Sequence, residues 1–420
     1  MIDIQLLKSL MLDNQREVEK REVKPRNIKY GDFDCFVLVG IRRAGKSYML
    51  YQKMQERLKS GKGWDSMLYI NFEDERLDSF ESGDFNLILE AHEEMYGVRP
   101  ALFLDEIQNI KGWEKFARRL ADSKYEVWIT GSNANMLSQE IQTTLGARYM
   151  SIDVYPYSFK EFLTVSGIPY DELSLLTTER RAAVKRAFDD YLHNGGFPES
   201  ILKIAKRDYV QSVYQKILLG DIAARNKIVN IFGLRMMIKK FAESVKQPMS
   251  FNRLSNLISA TGFKLSITSA INYTENASDA WLITPISNIV AKMAEKESNK
   301  KYYFADNGLL NLFILNQDTS LLENMIAITL IRRYGREDAV FYCKKNEEVD
   351  FYVPEDQIAI QSCYSLKDAD TYKRELTALN KICSLLPCKV RYIITFDEER
   401  TETDNYGEIK IIPAWKWLLE

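Results

Sequence analysis

Apolar runs alternate with amphipathic stretches along the first third of the chain. The apolar, β-rich runs lie within residues 32–39, 67–72, 101–104, 127–130 and 149–155. Near-continuous apolar runs of this length are typical of strands buried on both faces of a parallel sheet. Helical patterns separate them, in KSYMLYQKMQERLK, NLILEAHEEMY and WEKFARRLAD. Because strand and helix alternate, we predict an α/β layer fold over residues 1–157.

The pattern changes in the remainder of the chain. Residues 158–248 are predicted to be helical, with long amphipathic segments broken by GGFP at 195–198. Residues 249–315 follow the order helix, turn, helix and two-stranded ribbon, which is typical of a winged helix. Residues 316–420 alternate helix and strand again, which predicts a separate α/β domain.

Composition and charge narrow the class of protein. The net charge of −2 over 420 residues means that any surface for a polyanion must be a local patch. The only two histidines, His92 and His193, argue against a histidine-based metal site, and we expect His92 to be solvated on its helix face. Five cysteines without a C-x-x-C pair, and no signal-like or membrane-spanning segment, predict a cytoplasmic protein without membrane contact.

One motif has the pattern of a phosphate-binding loop. It fits G-x-x-x-x-G-K-[ST], and it lies between a predicted strand and a predicted helix. Glycines let the backbone bend around phosphates, and the helix N-terminus offers N–H groups. The lysine can reach the β- and γ-phosphates, and the final serine can bind Mg²⁺. The predicted nucleotide-binding residues are Gly40, Ile41, Arg42, Arg43, Ala44, Gly45, Lys46, Ser47 and Tyr48.

Two further strands end in polar residues that suit the same site. Asp105 and Glu106 directly follow a buried strand, as acids at a phosphate site do. We predict that Asp105 holds Mg²⁺ through water and that Glu106 orients or activates the attacking water. The run VWITGSN ends another strand, so a polar group there would lie between the acids and the γ-phosphate. Thr130, Ser132 and Asn133 are the alternatives, and Ser132 is our catalytic candidate.

Taken together, these motifs resemble a prokaryotic family of AAA+ ATPases that carries a C-terminal domain of unknown function. The resemblance covers nearly the whole chain, from GIRRAGKS (40–47) through LFLDEIQNIKGWE, WITGSNANML and LGARY to EEVDFYV (347–353). It implies a P-loop parallel sheet, a helical lid, a winged-helix-like region and a C-terminal α/β domain. It also implies ATP binding and Mg²⁺-dependent hydrolysis, with Lys46 in a catalytic role.

The resemblance adds one catalytic candidate, Arg148. This residue, in LGARY, matches an arginine that resembles a finger supplied to the ATP of a neighbouring subunit. Such an arginine stabilises the charge that develops during phosphoryl transfer, and a finger acting in trans requires a homo-oligomer. The alternative is a structural arginine paired with an acid.

The second half offers two weaker signals. Residues 234–301 contain ten Lys or Arg and five Asp or Glu, but the predicted recognition helix at 266–280 has no Lys or Arg. Contact with DNA and packing against protein therefore both stay open for this region. Residues 316–420 resemble the restriction-endonuclease-like, or PD-(D/E)XK, fold. In that mapping Glu323, Asp350 and Gln361 fall at metal-site positions, Cys363 replaces the expected lysine, and Lys367 is a migrated substitute.

Three functional hypotheses follow. The first is an ATPase that couples its nucleotide state to a change in conformation or assembly, with DNA or a protein as partner. The second is a nucleotide-dependent switch without turnover, and the third is an ATP-gated nuclease. Glu106 favours hydrolysis over the switch, because a switch needs no acid that orients water. The missing lysine at Cys363 disfavours the nuclease.

Overall fold

The computed structural model describes residues 2–28, 30–132, 144–315 and 317–420. The chain divides into two compact units, Met1–Val154 and Tyr155–Glu420. The first unit ends near residue 157, where we place the end of the ATPase domain from the sequence. The further divisions at residues 248 and 315 stay predictions.

The first unit contains a five-stranded parallel sheet. Its strands are β1 (Cys35–Val39), β2 (Met67–Asn71), β3 (Ala101–Asp105), β4 (Val127–Gly131) and β5 (Met150–Asp153). Its described helices include α1 (Ile4–Lys20), α2 (Lys46–Lys59), α3 (Phe85–Tyr96) and α4 (Trp113–Asp122). The strand order is β2-β3-β4-β1-β5, and each neighbouring pair is parallel. The predicted α/β fold with a parallel sheet is confirmed.

Burial on both faces explains why the apolar runs form this sheet. Every residue of β1, β3 and β4 is buried, so neither face of these central strands meets solvent. A sheet covered on both faces selects apolar, β-rich sequences without polar alternation. Since β4 lies between β1 and β3, the carboxyl ends of these three strands are adjacent. The polar residues that follow them therefore meet at one edge of the sheet.

The second unit begins with helices. They include α5 (Phe159–Val165), α6 (Glu172–Leu176), α7 (Thr178–Asn194) and α8 (Lys206–Lys216), followed by a π-helix at Ile217–Ala224. At the GGFP break, Gly196 packs closely, since a Cβ there would lie 2.2 Å from the Tyr157 carbonyl oxygen. The sequence pattern predicts helix here, but the wider π-helical winding has no separate signal in it.

A small antiparallel sheet follows. Its strands are β6 (Met249–Ser250), β7 (Ile283–Ile286) and β8 (Asn299–Phe304), in the order β6-β8-β7. The helices of this region are α9 (Ile231–Glu243), α10 (Phe251–Ser259), α11 (Ile267–Asp279) and α12 (Met293–Ser298). The hydroxyls of Ser250 and Ser266 cap α10 and α11 by accepting backbone hydrogen bonds. A winged-helix classification stays a prediction.

A six-stranded sheet forms the last part of the second unit. Its strands are β9 (Phe341–Lys344), β10 (Glu348–Val353), β11 (Ile358–Ser362), β12 (Val390–Thr395), β13 (Arg400–Asp404) and β14 (Gly407–Pro413). Its order is β13-β14-β12-β11-β10-β9. The accompanying helices are α13 (Asn307–Leu310), α14 (Asp318–Tyr334), α15 (Ala369–Cys383) and α16 (Ala414–Trp417). Across the described ranges, no helix is both long and apolar enough to span a bilayer.

Candidate functional site

The G-x-x-x-x-G-K-S motif lies at the carboxyl edge of the parallel sheet, between β1 and α2. A Cβ at Gly40 would lie 2.0 Å from the carbonyl oxygen of Val154, so only glycine fits there. Gly45 has a φ of 99°, in the left-handed region that residues with a side chain rarely adopt. The loop leads directly into α2, whose first N–H groups have no acceptor within the helix. The backbone therefore has the geometry for binding an anion.

Lys46 is buried within this loop, with 4% of its surface exposed. Its Nζ donates hydrogen bonds to the carbonyl oxygens of Gly40, at 3.1 Å, and Ile41, at 3.3 Å. The same atom lies 4.0 Å from Oε1 of Glu106. The ammonium group is thus fixed between the loop and the acid pair, where phosphate oxygens can reach it.

Asp105, the last residue of β3, is buried beside Ser47. Its carboxylate accepts hydrogen bonds from the Thr130 hydroxyl and, at 3.0 Å, from the Tyr69 hydroxyl. Burial and the neighbouring Glu106 carboxylate raise the pKa of Asp105 to about 6, and a hydrogen bond with Ser47 opposes the rise. Carboxylate and hydroxyl oxygens are ligands that Mg²⁺ prefers, and a bound cation would lower this pKa. These two residues therefore fit the predicted Mg²⁺ site.

Glu106 follows β3 in a left-handed backbone conformation, with a φ of 51°. A residue with a side chain in this region carries strain of about 1–3 kcal/mol, which surrounding contacts must offset. One such contact is its own N–H, which donates to the Thr130 hydroxyl at 2.9 Å. The carboxylate accepts a hydrogen bond from the Gln108 amide. The turn therefore presents a positioned carboxylate directly after the buried Asp105.

Two buried hydroxyl groups lie at the carboxyl end of β4, those of Thr130 within the strand and Ser132 just after it. The Thr130 hydroxyl donates to Asp105 and accepts from the Glu106 N–H, so it joins the two acidic residues. Ser132 is 1% exposed, and its Oγ has no hydrogen-bond partner among the residues that the structure describes. Leaving a buried hydroxyl unsatisfied costs about 1–3 kcal/mol, which fits a group that meets a ligand. Asn133, the third alternative, lies outside the described residues.

The remaining predicted loop residues lie at the rim of the site. The Arg42 guanidinium forms an ion pair with Glu73 at 3.2 Å. Arg43 is exposed, and its φ of 66° places its backbone in the left-handed region. Tyr48, in the first turn of α2, is 39% exposed. None of these contacts assigns Arg42, Arg43 or Tyr48 a role toward phosphate, so their nucleotide binding stays a prediction.

Two residues of the site are missed by the sequence reasoning. Arg26, in the segment after α1, donates a hydrogen bond to the Ala44 carbonyl oxygen at 3.2 Å and so supports the loop from outside. Tyr69, in the middle of β2, supplies the hydroxyl that contacts Asp105. Tyr69 lies in the apolar run of β2. Its only indication of a role in the site is that a buried tyrosine hydroxyl needs a hydrogen-bond partner. Arg26 has no signal at all.

Arg148 lies away from the P-loop of its own chain. It ends a short 3₁₀-helix, Gly146–Arg148, just before β5. The first residue of β5, Met150, pairs with Phe36 near the start of β1, whereas the P-loop follows the end of β1. The Arg148 guanidinium instead forms an ion pair with Asp122 at 2.5 Å. The structure therefore does not bring Arg148 together with Lys46.

A second cluster of charged groups lies in the second unit, around Lys301 of β8. This lysine is fully buried, and its Nζ lies 3.1 Å from Glu323, 2.8 Å from Glu348 and 3.5 Å from Asp350. Burial favours the uncharged amine, but the carboxylates prevail and raise the pKa of Lys301. Burial and the Glu323 charge raise the pKa of Asp350 to about 7. An ammonium group therefore sits among the acids that the resemblance maps to a metal site.

The other residues of that mapping lie around this cluster or away from it. The Gln361 amide donates to Glu375 at 2.7 Å, and its oxygen accepts from the Asp350 N–H at 2.8 Å. Cys363 belongs to the apolar core beneath the six-stranded sheet, and burial raises the pKa of its thiol to about 11. Lys367 is exposed between β11 and α15. Lys301, and not Lys367, is the lysine that contacts Glu323 and Asp350. The sequence does not predict a role for Lys301.

Comparisons with known proteins match this chain along its whole length. A model described as an AAA domain matches residues 32–163, and one described as a domain of unknown function, DUF8612, matches residues 185–327. The uncharacterized protein MJ1544 of Methanocaldococcus jannaschii is 32% identical over 434 residues, which are 100% of this chain and 96% of that protein. The chain belongs to the family of MJ1544. Another relative, an uncharacterized protein of Haemophilus influenzae, is 29% identical and covers 94% of this chain and 96% of its own length.

Several solved structures are similar to the chain at low sequence identity. The Walker-type ATPase PABY2304 of Pyrococcus abyssi has a TM-score of 0.42 and 12% identity, over 74% of this chain and 96% of that one. The Orc1 protein of Aeropyrum pernix, in complex with DNA, has a TM-score of 0.29 and 13% identity, over 77% and 92% of the two chains.

The two family models cover the two charged clusters to different extents. The AAA domain of this member of the MJ1544 family contains the P-loop, Asp105, Glu106 and Arg148. The DUF8612 match contains Lys301 and Glu323 but ends before Asp350. The P-loop ATPase fold is thus supported for the first unit, whereas the restriction-endonuclease-like character of residues 316–420 stays a prediction.

Proposed function

We propose that the chain binds ATP with Mg²⁺ at the P-loop of the first unit and hydrolyses it. The observation that carries this proposal is the position of Lys46, whose Nζ lies 3.1 Å from the Gly40 carbonyl oxygen and 4.0 Å from the Glu106 carboxylate. Lys46 and the loop N–H groups bind the phosphates, while Ser47 and Asp105 hold the cation. When bound, Mg²⁺ neutralises charge that develops on the phosphate oxygens.

Glu106 supports hydrolysis rather than binding alone. Its carboxylate lies 4.0 Å from the Lys46 ammonium group and accepts a hydrogen bond from the Gln108 amide, which orients it. A carboxylate placed in this way can accept a hydrogen bond from the attacking water and take up its proton. Ser132 suits a contact with the γ-phosphate, because its buried hydroxyl has no protein partner in the described part of the chain.

Phosphate release from ATP tests this proposal. We expect Lys46→Ala to abolish both nucleotide binding and release, since the phosphates lose their buried cation. We expect Glu106→Gln to retain binding of a fluorescent ATP analogue but to lower release by about 10²-fold or more. The exposed residues Lys62 and Glu90 offer matched controls, because Lys62→Ala and Glu90→Gln remove the same groups away from the site. Binding without release at every protein concentration would contradict hydrolysis and favour the switch.

The proposal includes a coupling between nucleotide state and assembly or conformation. It requires a homo-oligomer, because Arg148 would contact the ATP that is bound to a neighbouring subunit. The partner that is acted upon is a nucleic acid or a protein, and the excess of Lys and Arg within residues 234–301 favours a nucleic acid.

A further inference from the structure

Two exposed phenylalanines stack on each other at the surface of the second unit. Phe232, at the start of α9, is 42% exposed, and Phe263, just after α10, is 47% exposed. Their ring centroids are 3.8 Å apart, and their planes are inclined by 31°. The core side of α9 is formed by other residues, among them Leu234, Met237 and Phe241. The outer faces of the two rings are therefore available to a ligand.

Exposed basic residues lie close to this aromatic pair along the chain. Arg235 and Lys239 follow Phe232 by three and seven residues, so the three side chains share the exposed face of α9. Lys264 follows Phe263 directly, and two more basic residues precede α9. We call this region the Phe232 surface, and it consists of Phe232, Phe263, Arg225, Lys227, Arg235, Lys239 and Lys264.

The charge of this region is strongly one-sided. Residues 225–267 contain eight Lys or Arg and a single acid, Glu243. That acid is paired with Lys240 at 2.7 Å. A polyanion is therefore complementary to the Phe232 surface, although the whole chain has a net charge of −2. Two copies of the chain that met through this same surface would bring like charges together.

We propose that the Phe232 surface binds single-stranded nucleic acid. Phe232 and Phe263 offer ring faces on which unpaired bases stack, and the surrounding cations contact the phosphates. In a duplex the bases already stack on one another, so exposed rings gain little from it. The predicted recognition helix, α11, has no Lys or Arg with which to bind duplex phosphates. This inference builds on the nucleic-acid partner of the proposed function, but it does not depend on ATP hydrolysis.

Fluorescence anisotropy without nucleotide tests the inference. The probes are labelled oligothymidylate, oligouridylate and a mixed-sequence duplex, each of about 20 nucleotides, which spans several stacking contacts. We expect the single strands to bind more tightly than the duplex. We expect the double variant Phe232→Ala/Phe263→Ala to weaken single-strand binding by about 30-fold or more, since each of two stacked bases contributes about 1–3 kcal/mol. The control Leu176→Ala/Leu202→Ala truncates two side chains that are 75% and 79% exposed elsewhere in the unit.

A second variant separates stacking from phosphate contacts. Arg235→Ala/Lys239→Ala should reduce the slope of log K against log salt by about 1.4, because each lost phosphate contact contributes about 0.7 for a single strand. The phenylalanine variant should leave that slope unchanged. Thermal unfolding like that of the wild type shows that both variants are folded.

Four results would overturn the inference. The first is no binding of either oligonucleotide at low salt, and the second is unchanged affinity in the phenylalanine variant. The third is equal binding of polyglutamate, which indicates a surface for an acidic protein. The fourth is loss of an oligomer in the phenylalanine variant without loss of nucleic-acid binding. If oligonucleotides do not bind while phosphate release persists, this inference alone fails and the proposed ATPase function stands.

Discussion

Asp105 is a residue at which function and stability conflict. Its carboxylate is buried between the Thr130 and Tyr69 hydroxyls and next to Glu106, and its pKa is raised to about 6. The folded protein therefore binds a proton on Asp105 more readily than the unfolded chain does. Because of this difference, stability contributed by this residue falls as pH rises through the interval from about 4 to about 6. A cation held by Asp105 would relieve the conflict, because it would stabilise the ionised carboxylate.

We predict that Asp105→Asn raises the melting temperature of the protein in EDTA at pH 8 while it abolishes phosphate release. The amide carries no charge, and the Tyr69 hydroxyl can accept a hydrogen bond from it, since Tyr51 lies 3.3 Å from the same hydroxyl. Calorimetry from pH 4 to pH 8 measures the effect. The gain should shrink toward pH 4, where the Asp105 carboxyl of the folded wild type is protonated and no longer buries a charge.

The matched control for this experiment is Asp32→Asn. Asp32 is exposed, so its substitution removes the same charge without changing a buried group. A lower melting temperature of Asp105→Asn at pH 8, or a difference that does not change with pH, would contradict the prediction.

At the scale of elements, Lys301 joins β8, α14 and β10. Its ammonium group lies within 3.5 Å of Glu323 in α14 and of Glu348 and Asp350 in β10. We predict that Lys301→Met destabilises the second unit by about 3–5 kcal/mol, because buried carboxylates lose their cation. Thermal unfolding followed by calorimetry measures this loss.

Two further variants make the test of Lys301 specific. Lys300→Met removes the adjacent lysine, which pairs with Glu297 near the surface, and should change stability little. Adding Glu323→Gln to Lys301→Met should recover part of the loss, because one of the unpaired charges is removed. No recovery in the double variant would show that Lys301 acts through packing rather than charge.

Some elements are easier to predict from the sequence than others. The strands of the first sheet are predictable because burial on both faces leaves continuous apolar runs, such as CFVLV in β1. The edge strand β13, with the sequence RTETD, is polar and largely exposed, and it goes unpredicted. His92 lies on an amphipathic helix, and the expectation that it is solvated is wrong, because it is buried. Its exposure depends on what covers the helix rather than on the helix pattern.

The residues of the candidate site also differ in how well the sequence predicts them. Lys46, Ser47, Asp105 and Glu106 are predictable because a local pattern of strand, loop and helix fixes their places. Contacts between distant segments leave no such pattern. Lys301 contacts Glu323, which lies 22 positions further along the chain, and Glu348, which lies 47 positions further. No periodic sequence pattern predicts contacts at such separations. Thr130 is identified from the sequence as one of three alternatives, and its bridge to both acids is visible only in the folded sheet.

At the scale of the whole molecule, Arg148 bears on how chains assemble. It precedes β5 at the end of the sheet away from the P-loop, so it lies away from the phosphate-binding loop of its own chain. Its ion pair with Asp122 is half-exposed and contributes little to stability. If Arg148 serves a neighbouring subunit, its effect on hydrolysis must appear only in assemblies.

Mixing two inactive variants tests this hypothesis. We predict that Arg148→Ala lowers phosphate release by about 10³-fold, the effect expected of a lost arginine finger. A Glu106→Gln chain keeps Arg148, whereas an Arg148→Ala chain keeps Glu106, so an equimolar mixture should release phosphate faster than either variant alone. Asp122→Asn is the control, since it breaks the ion pair but retains the arginine, and it should keep nearly full activity. Equal losses in Asp122→Asn and Arg148→Ala, without recovery in the mixture, would assign Arg148 a structural role within its own chain.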